Sequence, residues 1–135
     1  MGKPLFETGN FTLSSGKESL WRINADELSQ SSWETLASLL AERLPSFGEV
    51  VSVPTGGDPL AAALRKYIVP TSRAVVIADD VVSTSASIDT VRGKFNPDGR
   101  IFYAAVAFNR CPNLSHTRGR GVPIYSVFDL TLVET

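Results

Sequence analysis

The sequence predicts a three-layer α/β domain: a mainly parallel, twisted sheet flanked by helices, formed by residues 1–135 as a single unit. Three observations predict it. Short apolar, β-branched runs recur at "EVVSV" (49–53), "AVVIA" (74–78) and "IFYAAVAF" (101–108), of a length suited to strands buried on both faces. Segments of helical periodicity stand between them, and parallel strands require such crossovers. A chain of 135 residues, 43% hydrophobic and 20% charged, has the composition of one globular domain with a real core.

Taken in order, "SSWETLASLLAERLP" opens the regular structure as a helix. Ser31 and Glu34 have capping-box spacing, Trp33, Leu36, Ala37, Leu40 and Leu44 share one face, and Pro45 stops the helix. The strand at 49–53 ends in the turn "PTGG". Asp58 as N-cap and Pro59 in the first turn then start a second helix through Leu60, Ala63 and Leu64. After the strand at 74–78, "SASIDTVRGKF" (85–95) reads as a short helix. The strand at 101–108 follows, and "PIYSVFDLTLV" (123–133) is a fourth. This alternation implies right-handed crossovers. No repeat or low-complexity segment interrupts it.

Charge and composition narrow the function classes. A formal net charge of −1 creates no field that would gather nucleic acid or an anionic membrane, so neither is an expected partner. One Cys and one His exclude an internal disulfide and any multi-cysteine metal site, and the lone Cys111 suits a reducing compartment. No run of about 18 apolar residues occurs, and the N-terminus lacks a signal-like apolar stretch. A cytoplasmic location is expected. The Gly-rich dinucleotide pattern and the Gly-Lys-Ser phosphate loop are both absent.

Ligands of such sheets bind beyond the carboxyl ends of the strands. Three loops leave that edge: "PTGGD", "DDVVSTSAS" and the segment from Arg110 to Gly121. Two of them lead into helix starts, where unpaired N–H groups and the helix dipole favour a phosphate. Ser83, Thr84, Ser85 and Ser87 add hydroxyls there, and Ala86 leaves room for close approach. Asp79 and Asp80 sit just before this turn. Buried carboxylates need hydroxyls, N–H groups, a cation or water, and sugar hydroxyls with a magnesium ion would serve. The plainer alternative is that Asp79 ends the strand and Asp80 makes a local turn.

The string "VVIA", "DD", "VV", "STSAS" (75–87) resembles the phosphoribosyl pyrophosphate motif of the type I phosphoribosyltransferases: four apolar residues, two acids, two apolar residues and a small hydroxyl-rich turn. "FTLSSGKESLWRI" (11–23) is similar to the N-terminal segment of the orotate phosphoribosyltransferases, and "VPTGGDPLAAAL" (53–64) to their pyrophosphate loop and following helix. The resemblance is nearest to small orotate phosphoribosyltransferase-like proteins of phage and bacterial type. It implies a shortened type I fold and substrates among phosphoribosyl pyrophosphate, orotate or a related base, and nucleotide monophosphates. Asp79 and Asp80 would be the catalytic pair, holding ribose hydroxyls directly or through magnesium-bound water. Ser83, Thr84, Ser85, Ala86 and Ser87 would hold the 5′-phosphate, and Thr55, Gly56 and Gly57 would face pyrophosphate and its metal. Arg110 would grip a base carboxylate with two parallel bonds, assisted by Lys17 and Trp21. A homodimer is expected because relatives of this kind often pair.

The departures carry expectations too. The family's phosphate turn usually has Gly at the position of Ser85, and a left-handed backbone there would cost serine roughly 1 kcal/mol or more. Catalytic members insert a closing loop on an antiparallel ribbon before the Asp-Asp strand, whereas here only "RKYIVPTSR" (65–73) intervenes, too short for two strands and a turn. A replacement lid over the pyrophosphate is conceivable in "RCPNLSHTRGRG", through His116, Arg118 and Arg120. Two readings therefore stand: a small phosphoribosyltransferase, or a non-catalytic binding or regulatory module that keeps the pocket.

Overall fold

A computed structural model of the chain describes residues 3–13, 16, 18–95, 99–111 and 113–130. An antiparallel hairpin comes first, β1 (Phe6–Thr12) and β2 (Glu18–Ile23), with a register shift between Thr8 and Phe11. Helix α1 (Gln30–Arg43) follows, then β3 (Glu49–Ser52), α2 (Asp58–Leu64), β4 (Val75–Val82), α3 (Ala86–Arg92), β5 (Phe102–Asn109) and β6 (Ile124–Asp129). The four later strands form one parallel sheet in the order β3-β4-β5-β6. Among the described residues no helix is long and apolar enough to cross a membrane.

Alternation along the central strands sorts the core into two layers. Val76 and Ala78 of β4 pack with Trp33, Leu36 and Leu40 of α1 and with Leu60, Ala61 and Leu64 of α2. Val75 and Ile77 face the other way, against Ile88 and Val91 of α3. The three layers expected from sequence are present, but the crossovers correct the expectation of a common hand. β3 to β4 and β4 to β5 both step in the same direction across the sheet, yet α2 and α3 lie on opposite faces. Two such connections must have opposite hands, so one departs from the usual right-handed rule.

Several boundaries also move. The cap of α1 is Ser29, whose hydroxyl accepts the Ser32 N–H at 3.2 Å, not Ser31, because the helix begins earlier, at Gln30. Asp58 lies in the first turn of α2 and Gly57 occupies the cap position. Strand β4 does not end at residue 78. It continues through both aspartates to Val82 because β5 keeps pairing with it, Asp79 with Val106 and Val81 with Phe108. Between Leu64 and Val75 a 3-10 turn, Arg65–Tyr67, is followed by a second turn in which the Ser72 N–H donates to the Val69 carbonyl, with no strand, as the short spacing requires.

Candidate functional site

The carboxyl edge of the sheet brings together the turn after β3, the end of β4, the turn into α3 and the residue after β5. At the first turn the Pro54–Thr55 peptide is cis. Gly56 lies directly on Asp80: a Cβ at Gly56 would stand 2.6 Å from Asp80 Oδ2. Gly57 is buried against the middle of β4, where a Cβ would come within 2.3 Å of the Ala78 carbonyl oxygen. Only glycine allows this contact between the two motifs. Thr55 and Gly56 are exposed at its rim.

The two acids occupy different environments. Asp79 is 7% exposed, and its Oδ1 accepts the Asp80 N–H at 2.8 Å. Asp80 is half-buried, with Oδ1 accepting the Val81 N–H at 2.7 Å. Burial, and then the adjoining Asp80 carboxyl, push the Asp79 carboxyl up to about 8, against the opposing pull of the Asp80 N–H. Asp79 is therefore largely protonated at neutral pH, and Asp80 is the acid turned towards Gly56.

In the turn into α3, Ser85 has φ −89° and ψ 5°. The left-handed backbone considered from sequence is absent, and serine carries no such cost here. Its hydroxyl is not turned to the open edge. Ser85 is 3% exposed, and its Oγ donates to Asp89 Oδ2 at 3.3 Å and accepts the Arg118 N–H at 2.8 Å. Thr84, Ala86 and Ser87 are exposed and Ser83 is half-buried, so the hydroxyls of Thr84 and Ser87 are the ones open at the turn.

Arg110 and Trp21 meet each other. The guanidinium lies 3.6 Å from the centre of the Trp21 ring, and Nη2 donates to Ser19 Oγ at 2.7 Å and to the Trp21 carbonyl at 3.1 Å. The Arg110 N–H bonds the Val82 carbonyl. Arg110 thus fastens the hairpin to the ends of β4 and β5. Trp21 is 5% exposed, stacked on arginine rather than open to a base. Beside Ser19, a cleft of about 410 Å³ is lined by Asn10, Phe11, Thr12, Glu18 and Leu20. Lys17 lies outside the described residues.

The segment considered as a lid is attached elsewhere. Gly119 and Arg120 donate their N–H groups to the Asp89 carboxylate at 2.9 and 3.0 Å, which ties the bend to α3. Arg120 Nη2 lies 3.0 Å from where a Gly93 Cβ would stand. Gly93 follows the last turn of α3, roughly 10 Å along the helix from the phosphate turn, so Arg120 points away from the Thr55–Gly57 loop. His116 is exposed, with Nδ1 3.1 Å from Ser115 Oγ. Sequence reasoning passed over Asp89 and Ser19. Asp89 had one local signal, its four-residue spacing from Ser85 on a helix.

Among the described residues no group of three or more His, Cys, Asp or Glu side chains converges. A magnesium ion keeps water and substrate phosphates in its shell and needs only one or two carboxylates. Asp80 offers such an oxygen beside the Thr55–Gly57 loop, while Asp79 next to it is buried.

No family model matches the sequence, and no curated protein matches it. Solved structures do. The chain is similar to orotate phosphoribosyltransferase from Aeropyrum pernix, at 28% identity and TM-score 0.70 over 93% of this chain and 88% of that one. The Mycobacterium tuberculosis H37Rv orotate phosphoribosyltransferase superposes with TM-score 0.64 at 18% identity, covering 93% and 89%. Leishmania donovani UMP synthase gives 0.63 at 22%, covering 93% of this chain and 33% of that chain. The parallel sheet, the glycine turn resting on Asp80 and these likenesses agree: the chain has the type I phosphoribosyltransferase fold and is a phosphoribosyltransferase-like protein.

Proposed function

We propose that the carboxyl edge of the sheet binds phosphoribosyl pyrophosphate or a nucleotide monophosphate, and that the reaction it serves is transfer of phosphoribose to orotate or a related base. The observation that carries this is the contact of Gly56 with Asp80, which sets the glycine turn against an acid at the edge where sugar hydroxyls would lie. In the transfer, the bond from ribose C1 to pyrophosphate breaks, a base nitrogen bonds to C1, and pyrophosphate leaves. Thr55, Gly56 and Gly57 would receive the leaving group, and Asp80 would hold the ribose hydroxyls and stabilise positive charge at C1. Thr84, Ser87 and the first N–H groups of α3 would hold the 5′-phosphate. Magnesium, when bound, would supply positive charge to the leaving pyrophosphate, and Asp80 would be the residue to hold it. Asp79 would orient Asp80 through its N–H. For a base carboxylate, Arg110 remains the candidate cation, but it would have to serve while stacked on Trp21.

A second reading, a binding or regulatory module without turnover, is favoured by one observation: α2 runs into β4 with no ribbon that could close over the substrates. Calorimetry with phosphoribosyl pyrophosphate, with and without magnesium, followed by the absorbance change of orotate on nucleotide formation, separates the two. Magnesium-dependent binding with turnover abolished in Asp80→Asn supports the enzyme. Binding without turnover supports the module, and absence of binding defeats both.

A further inference from the structure

We propose that Asp89 is a positioning residue that makes the bend from Thr117 to Gly121 a fixed wall of the phosphate cup, and that Arg118 is the cation this wall presents to the 5′-phosphate. The inference rests on the phosphoribosyl reading of the site and adds a binding residue to it.

The Arg118 N–H bonds Ser85 Oγ at 2.8 Å, so its Cα stands within about 4 Å of the phosphate turn's own hydroxyl. The bend is held from both sides. The Asp89 carboxylate takes the Ser85 hydroxyl and the N–H groups of Gly119 and Arg120. On the other side Thr117, which is buried, accepts the Val122 N–H on its hydroxyl and the Gly121 N–H on its carbonyl, while its own N–H bonds the Val122 carbonyl. Gly121 has φ +67°, the left-handed conformation that lets the bend close. A bend so fixed needs little ordering when a ligand arrives. These donors also meet the negative charge of Asp89. Arg118 itself is exposed, and neither ion pair among the described residues involves it. A phosphate at the turn would lie on the same sheet edge as the acid at Asp80, and a guanidinium would offset that repulsion.

The test is calorimetric titration of the full chain with ribose 5-phosphate and, separately, with magnesium pyrophosphate, which would occupy the Thr55–Gly57 side. Arg118→Ala should weaken ribose 5-phosphate about tenfold or more, the worth of one charge-assisted bond, while pyrophosphate affinity stays within about twofold. Arg118→Lys should recover part of the loss. Asp89→Ala should give the same selective loss, and the double variant should be no worse than the weaker single one, because Asp89 acts through Arg118. Wild-type binding of ribose 5-phosphate that survives Arg118→Ala unchanged overturns the inference while leaving the phosphoribosyl reading intact. If wild type binds neither ligand, the reading and the inference fall together. Should Asp89→Ala fold poorly, the exposed Arg118 decides the matter alone.

Discussion

A proton held inside the sheet edge makes Asp79 a reporter of folding. Its carboxyl is raised from an ordinary value of 3.8 to about 8, so between those values the folded chain binds a proton that the unfolded chain releases. Stability linked to this group is therefore fully present below the unfolded value and falls as pH rises towards 8, by about 1.4 kcal/mol for each pK unit at most. Asp79→Asn should remove that slope, since an amide oxygen can still accept the Asp80 N–H. Urea denaturation at pH 5 and pH 8.5 checks it: the variant's stability relative to wild type should be greater at the higher pH, and an equal slope in both proteins would refute the assignment. Arg110 supports a second expectation. Arg110→Ala removes the stack on Trp21 and the bonds to Ser19 and the Trp21 carbonyl, and should cost about 2 kcal/mol. Amide exchange should accelerate first in β1 and β2, which this side chain fastens down.

Among the elements, those with apolar periodicity were legible from the residues alone. β4 and β5 were readable because both their faces are covered, and α1 because Trp33, Leu36, Ala37 and Leu40 fall on one stripe. The hairpin was not readable as strands. In β1 no residue is buried, and the exposed or half-exposed pattern of "FETGNFT" leaves no two-residue alternation to detect. The end of β4 was misjudged for a related reason. Two aspartates suggest an exit from a sheet, and only the pairing of β5, more than 20 residues later, keeps them inside it. The roles of Asp89 and Ser19 were illegible because most of their partners, Gly119, Arg120 and Arg110, are distant in sequence. The cap of α1 is an element-scale test: Ser29→Ala should cost about 1 kcal/mol, whereas Ser31→Ala should stay within a few tenths, as read by thermal or urea unfolding.

For the whole molecule, the open edge decides what chemistry can succeed. No ribbon rises between α2 and β4 to exclude solvent, so a cation-like ribose centre formed here would be exposed to water. In a mixture of phosphoribosyl pyrophosphate, magnesium and orotate, any loss of donor should outrun nucleotide formation, with ribose 5-phosphate and pyrophosphate accounting for the difference. Phosphorus NMR follows all of these species together, and strict equality of donor lost and nucleotide gained would show that the site keeps water out by another route. The opposed hands of the two crossovers bear on how such a shelter could be added. A new strand annealed to the free side of β3, entering through the link from Ile68 to Arg73, would make α2 travel outward instead of inward and bring its winding into agreement with that of α3. The same six-residue link is thus a natural splice point, where a grafted flap would relieve a topological irregularity as well as roof the cleft.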